Sequence, residues 1–105
     1  VKSGHGLGVE RTKAYKYENL ASNFIGRKVE PLLVTVEPND NSEIHTNTHS
    51  GQEFHYCIEG SFLLQIGDHT LTVCEGDSVY FDSSLPHAMQ VLGDKPAKFL
   101  AIVLK

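Results

Sequence analysis

The sequence predicts an all-β domain built as a double-sheet jelly-roll barrel. Short apolar runs recur along the chain with turn-forming residues between them, and their number indicates about eight to ten short strands. No window of ten or more residues places apolar side chains at helical spacing. This combination of many short strands with almost no helix is typical of two sheets closed into one barrel.

The predicted strands follow one another in chain order, each bounded by a turn signal. Pro38 and the polar stretch after it close the second strand, and Gly60 marks a bend after the third. Gly67 and Asp68 predict a tight hairpin, while Gly76 predicts a second turn with a positive φ. The strands are expected at 14–20, 32–36, 53–58, 61–66, 70–73 and 78–81, after Pro86, and at 99–104.

Length and charge restrict the classes of protein to which the chain can belong. Its 105 residues suit a single domain, with residues 1–12 as a Gly-rich arm or linker and 13–105 as the barrel. Thirteen acidic and nine scattered basic residues give a net charge of -4, which disfavours nucleic-acid binding by this domain. No segment is long and apolar enough to span a membrane. Cys57 and Cys74 do not form a disulfide framework, which favours the cytoplasm.

Polar side chains cluster by strand alternation in the middle of the sequence. His45, Asn47 and His49 share a face if their segment is extended, because alternate side chains of a strand point the same way. After a turn at 50–52, the three residues Glu53, His55 and Cys57 share a face in the same manner. His87 comes from far along the chain, directly after Pro86, and is expected to close the same site.

Two segments carry a family resemblance. The run H-S-G-Q-E-F-H-Y-C-I-E-G at 49–60 resembles the first cupin motif, and E-G-D-S-V-Y-F-D-S-S-L-P-H at 75–87 resembles the second. The resemblance implies a divalent metal (Zn, Fe, Mn or Ni) held by His49, Glu53 and His87. The chain departs from the pattern where the first motif histidine is expected, because that position holds Asn47.

Within the cupins, the chain most resembles the domains found behind an N-terminal helix-turn-helix in bacterial XRE-type transcriptional regulators. The runs Y-K-Y-E-N-L-A, E-P-L-L-V-T-V and Y-F-D-S-S-L-P-H are typical of that branch. This resemblance implies a homodimeric small-molecule sensor that reaches DNA only through a domain outside this chain. The start at Val1 favours an origin within a longer protein.

Several alternatives remain open at this point. Asn47 and His45 are possible additional metal ligands, and the expected contacts of an organic ligand are His55, Asn47, Cys57 and Gln65. The alternative to a metal site is a pocket that binds an organic ligand without any metal. No residue is assigned as catalytic, so sensing is favoured over the alternative of a stand-alone metal-dependent enzyme such as a dioxygenase or isomerase.

Overall fold

The computed structural model describes residues 1–6, 10–11, 15–38, 46–91 and 93–104. These parts of the chain form nine β-strands and no α-helix, which confirms the predicted fold class. None of the described segments is a helix suited to crossing a membrane. The strands are β1 (Glu10–Arg11), β2 (Tyr15–Asn19), β3 (Val29–Val36), β4 (Gln52–Glu59), β5 (Ser61–Ile66), β6 (His69–Cys74), β7 (Ser78–Asp82), β8 (His87–Val91) and β9 (Ala97–Leu104).

The strands form two antiparallel sheets. The larger sheet has the order β1-β2-β3-β9-β4-β7, and the smaller has the order β6-β5-β8. Strand β9 comes last in the chain yet lies between β3 and β4, so two long-range pairings hold the centre of the larger sheet together. The last strand is therefore an inner strand of the fold.

The core contains buried side chains from both sheets. The rings of Phe62 on β5 and Phe99 on β9 stack with their centroids 4.8 Å apart and join the two sheets. On β5, Phe62, Leu64 and Ile66 are all buried, in agreement with the predicted alternation. The other buried members of this cluster are Tyr15, Val34, Val36, Cys57, Val73, Phe81, Met89, Ala97 and Ala101.

The Tyr15 hydroxyl makes a polar link between the sheets. It donates to the carbonyl oxygen of Met89 at 2.8 Å and accepts the Met89 N–H at 3.1 Å. Met89 lies on β8, an outer strand of the smaller sheet, so one side chain of β2 satisfies both groups on its free side. The first sheet is thereby fixed to the second beside the site.

The N-terminal segment takes more part in the sheet than the sequence indicates. Glu10 and Arg11 of β1 pair with Tyr17 and Lys16 of β2, inside the segment predicted as an arm. Two paired residues are too short to give a readable alternation, so backbone hydrogen bonding decides this boundary. The predicted turn at Gly76 is confirmed, with a φ of 88°.

Candidate metal centre

The site lies where the loop before β4 meets the beginning of β8. Asn47 forms an isolated antiparallel bridge with His87, with N···O distances of 2.8 Å and 3.0 Å. Two residues later, the His49 N–H donates to the carbonyl oxygen of Ser83 at 3.0 Å. These backbone contacts set His49 beside His87 although the two residues are far apart in the sequence.

Strand β4 supplies the carboxylate. Glu53 and His55 lie on the buried face of this strand, and both are almost inaccessible to solvent. Across the sheet, Glu53 lies between Val103 of β9 and Phe81 of β7. The carboxylate is consequently held in a largely apolar surrounding, where only specific donors can compensate for the loss of water.

Three imidazole rings surround the Glu53 carboxylate. Its Oε2 atom lies 2.6 Å from Nε2 of His49 and 3.0 Å from Nε2 of His87. Its Oε1 atom accepts from Nε2 of His55 at 2.9 Å. One oxygen thus faces two histidines and the other oxygen faces a third, so the two carboxylate oxygens have different contact partners.

The ionisation of the cluster follows from these contacts. Burial raises the pKa of Glu53, but the hydrogen bonds with His55, His87 and His49 and the charge of His55 outweigh this effect and hold the pKa well below its usual range. Burial lowers the pKa of His87, while contacts with Glu53 and the Leu85 carbonyl raise it, and the net effect is upward. Glu53 is therefore an anion at neutral pH.

The hydrogen bonds of the ring nitrogens that face away from the carboxylate show whether His49 and His87 are suited to binding a metal. Nδ1 of His87 donates to the carbonyl oxygen of Leu85 at 2.9 Å, and Nδ1 of His49 faces the carbonyl oxygen of Ser50 at 3.2 Å. A carbonyl oxygen can only accept, so each ring has a proton on Nδ1. This is the arrangement in which metal-binding histidines present Nε2 to the ion.

The donor set therefore fits a divalent cation. One ligand atom from each of His49, Glu53 and His87 lies within 4.8 Å of the other two. Two imidazole nitrogens and one carboxylate oxygen suit zinc or a first-row transition metal and leave coordination positions for other ligands. Asn47, the proposed additional ligand, lines the same cavity, whereas His45 lies outside the described residues.

His55 has a supporting position. Its ring is 1% exposed and packs against Phe81 and Phe99, with centroid distances of 5.0 Å and 4.5 Å. Nε2 donates to Glu53, while Nδ1 has no hydrogen-bond partner among the described residues. His55 thus borders the cavity, but its polar contact is with the carboxylate. The sequence predicted His55 on the inner face of its strand, and it left open whether the ring contacts a carboxylate, a ligand or a metal.

A cavity of about 220 Å³ opens from this cluster into the barrel. Its lining combines polar residues of the cluster and of the loop before β4 with apolar residues from β3, β8 and β9. The apolar part was not predicted, because strand alternation does not reveal which strands lie beside β4. The lining residues are Tyr17, Leu32, Val34, Asn47, Thr48, His49, Glu53, His55, His87, Met89, Phe99, Ala101 and Val103.

Two of the expected ligand contacts do not line this cavity. Cys57 is a fully buried core residue whose thiol lies 3.3 Å from the carbonyl oxygen of Gly60. Gln65 lies on the face of β5 opposite to Leu64 and Ile66, which point into the core. A ligand held beside His49, Glu53 and His87 would therefore contact neither Cys57 nor Gln65.

Comparison with known proteins agrees with this architecture. The chain is 24% identical over 83 residues to the uncharacterized protein MJ1618 of Methanocaldococcus jannaschii, covering 79% of this chain and 66% of that protein. It is 26% identical to Fe(II)-HppE crystallised with the alternative substrate (S)-1-HPP, with a TM-score of 0.75 over 92% of this chain and 53% of that one. The chain thus spans only about half of the enzyme.

A further similar structure is a regulator domain. The Cupin_2 domain of an XRE family transcriptional regulator from Enterobacter cloacae is 18% identical, with a TM-score of 0.76 over 89% of this chain and 98% of that one. At this identity the likeness concerns the fold. Residues 32–103 match the Cupin_2 family, described as "Cupin domain". This match covers both of the motifs that build the site, and the chain belongs to the cupin family.

Proposed function

We propose that this domain binds a divalent metal through His49, Glu53 and His87 and uses it to hold a small molecule in the adjoining cavity. The observation that carries the proposal is the orientation of the two rings. Backbone carbonyl oxygens occupy the Nδ1 side of His49 and His87, so both Nε2 atoms converge on Glu53 Oε2. Three side chains are then pre-arranged around one point.

The donor set narrows the choice of metal. Two histidines and one carboxylate with open positions are the arrangement of non-haem Fe(II) sites, and Zn(II) accepts the same donors. HppE has been crystallised with Fe(II) and with Co(II). Asn47 adds a neutral amide at the edge of the site, which is compatible with Fe(II), Mn(II) or Ni(II) as well.

Sensing accounts for the cavity better than catalysis does. Glu53 and His55 bond to each other and to the metal cluster, so neither is free to serve as a general acid or base. The rest of the described lining is mainly apolar. We therefore assign the domain to the sensory part of a cytoplasmic transcriptional regulator, in which a separate helix-turn-helix domain contacts DNA.

A homodimer is part of this proposal. The outward face of β4 and β7 exposes Tyr56, Ile58 and Tyr80 to 43%, 45% and 57%. Exposed aromatic and aliphatic side chains grouped on one sheet face favour contact with another protein surface. Size-exclusion chromatography with light scattering tests this point, and a monomer at micromolar concentration would contradict it.

The metal proposal has a direct test. The purified chain is analysed by elemental mass spectrometry and native mass spectrometry, next to a His49→Ala, His87→Ala double variant. We expect about one metal per chain in the wild type and none in the double variant. A His69→Ala variant, altered at an exposed histidine of β6, is the matched control and should keep its metal. Equal metal content in all three would refute the site.

An iron-dependent oxygenase is the second candidate. The observation in its favour is the likeness to Fe(II)-HppE over almost the entire barrel. This candidate requires that the Fe(II)-loaded protein consume oxygen when a substrate is added. An oxygen electrode separates the two functions, because a sensor binds its ligand without consuming oxygen.

A further inference from the structure

We infer that the ligand of this cavity is a small monocarboxylate with an apolar tail, rather than a phosphate or phosphonate. The inference rests on the proposed function, since it concerns the molecule that binds beside the metal. It adds the chemical class of that molecule, and it excludes phosphorylated and phosphonate compounds. Three features of the cavity carry it, namely its polarity, its charge and its size.

The lining of the cavity has a polar part and an apolar part. His49, Glu53 and His87 converge in the polar part, with Asn47 and Thr48 at the exposed rim. The apolar part consists of side chains from β3, β8 and β9. A molecule that fits both parts has one oxygen-bearing group beside the cluster and a hydrocarbon part against the apolar side chains.

The apolar wall begins directly beside the metal cluster. Val103 is the cross-strand neighbour of Glu53, and Ala101 is the cross-strand neighbour of His55. Leu32 of β3 pairs with Ala101 from the other side and lies in the same row. Because paired residues share a sheet face, a hydrocarbon chain attached to the polar group would lie on these three side chains.

The charge of the site selects a monoanion. A divalent ion and the Glu53 carboxylate together carry a net charge of +1 if both histidine ligands are neutral, and one carboxylate neutralises this charge. Among the residues that the structure describes, the cavity lining includes no Lys or Arg. A phosphonate that binds as a dianion would leave one negative charge unpaired in a cavity lined by apolar side chains, where desolvation makes it costly.

The volume sets the length of the tail. At about 220 Å³, the cavity is smaller than pockets for drug-sized ligands, which begin near 300 Å³. It is equivalent to roughly seven water molecules at liquid density, about 30 Å³ each. The ligand class is accordingly a short-chain acid, linear or branched, with or without an additional hydroxyl group beside the carboxylate.

The test is a calorimetric titration of the Zn(II)-loaded full chain with linear acids from acetate to hexanoate, and with methyl- and propylphosphonate. Each methylene should tighten binding about fourfold until the cavity is full, after which binding weakens. In a buffer alkaline enough to make the phosphonates dianions, they should bind at least roughly tenfold more weakly than the acid with the same tail, because their second charge stays unpaired. Equal affinity for both anions, or no dependence on tail length, would overturn the inference.

Variants on β3 provide the matched control. Leu32→Ala deletes three side-chain carbons and enlarges the cavity. Because the surrounding structure fills part of that space, the preferred acid should become longer by about two carbons. Leu33→Ala removes the same atoms from a half-buried side chain on the opposite face and should leave the preference unchanged. An identical shift in both variants would overturn the placement of the tail.

Metal content, measured first on each sample, distinguishes a failure of the proposed function from a failure of the proposed ligand class. Absence of metal in the Zn(II)-treated wild type would refute the proposed function and with it the ligand class. Stoichiometric metal with no selectivity among the acids would refute the ligand class alone. If Leu32→Ala fails to fold, Val103→Thr replaces it, because the added hydroxyl should weaken butyrate binding several-fold while the volume is conserved.

Discussion

Replacement of His55 by leucine tests how the fold aims the Glu53 carboxylate. His55 is not one of the three proposed metal ligands, yet its Nε2–H holds Oε1 at 2.9 Å, while Oε2 faces His49 and His87. The side chains of His55 and Glu53 are 1% and 8% exposed, so no bulk water replaces this donor. Without it, Oε1 is a buried charged acceptor with no partner, and the carboxylate is free to rotate.

The expected size of the effect follows from that single contact. A buried hydrogen bond to a charged group contributes about 1.5 to 3 kcal/mol, which corresponds to roughly 10- to 100-fold in metal affinity. The rise in the pKa of Glu53 that accompanies the loss of the donor acts in the same direction, because protonation competes with the metal. His55→Gln keeps an N–H donor, so we expect its affinity to stay within about threefold of the wild type.

The assay measures metal affinity and unfolding together. Competition with a chelating dye gives the dissociation constant, and thermal unfolding with and without metal gives the stabilisation by binding. A loss of 10- to 100-fold reduces that stabilisation by about 1.4 to 2.7 kcal/mol, or roughly 6 to 20 °C in the midpoint. Tyr56→Leu, on the outward face of the same strand, is the control and should bind metal like the wild type.

The result that would refute this reasoning is specific. If folded His55→Leu bound metal as tightly as the wild type, His55 would have no positioning role. If His55→Gln and His55→Leu lost the same affinity, the imidazole ring would act through its packing on Phe81 and Phe99 and not through its N–H. The visible bands of the Co(II)-loaded protein report the same distinction, because they respond to the geometry of Glu53.

Three further predictions concern single residues. Asn47→His should tighten zinc binding by about tenfold or more in dye competition, because an imidazole replaces an amide. Tyr15→Phe should lower the free energy of unfolding by about 2 kcal/mol in urea titrations, because it leaves the Met89 N–H and carbonyl unpaired. Burial lowers the pKa of His87, and its contacts with Glu53 raise it above the ordinary 6.5. The charged His87 ring should therefore stabilise the metal-free protein at low pH, and this stabilisation should be lost as the pH rises through the raised pKa. Urea unfolding in EDTA measures that loss, and stability that increases with pH across this range would contradict it.

The fold was predictable because its signals are local. The alternation of Phe62, Leu64 and Ile66 is contained in one strand, and the turn at Gly76 depends on that glycine and its immediate neighbours. The placement of β9 between β3 and β4 is a different matter, since it depends on contacts between distant segments. The same topology puts Val103 beside Glu53, which is why the apolar wall of the cavity escaped prediction.

The candidate metal site was predictable to the extent that the spacing of its residues in the sequence indicates it. His49, Glu53 and His87 are the residues that the motif resemblance implies, and the structure brings their ligand atoms together. The alternation also placed His55 on the inner face, but it gave no partner for the ring, because a hydrogen bond depends on rotamers that spacing leaves open. Gln65 lies away from the cavity for a simpler reason, since the face of β5 that turns inward is apolar.

The contacts of Asn47 show that the backbone alone fixes the site at this position. The antiparallel bridge between Asn47 and His87 uses backbone groups alone, so a change of side chain there leaves His87 in place. The His49 N–H bond to Ser83 is likewise independent of residue 47. The scaffold therefore retains three side chains around one point and leaves a neutral amide at the rim of the cavity. The chemistry of the site then rests on His49, Glu53 and His87 and on the apolar residues that line the cavity with them.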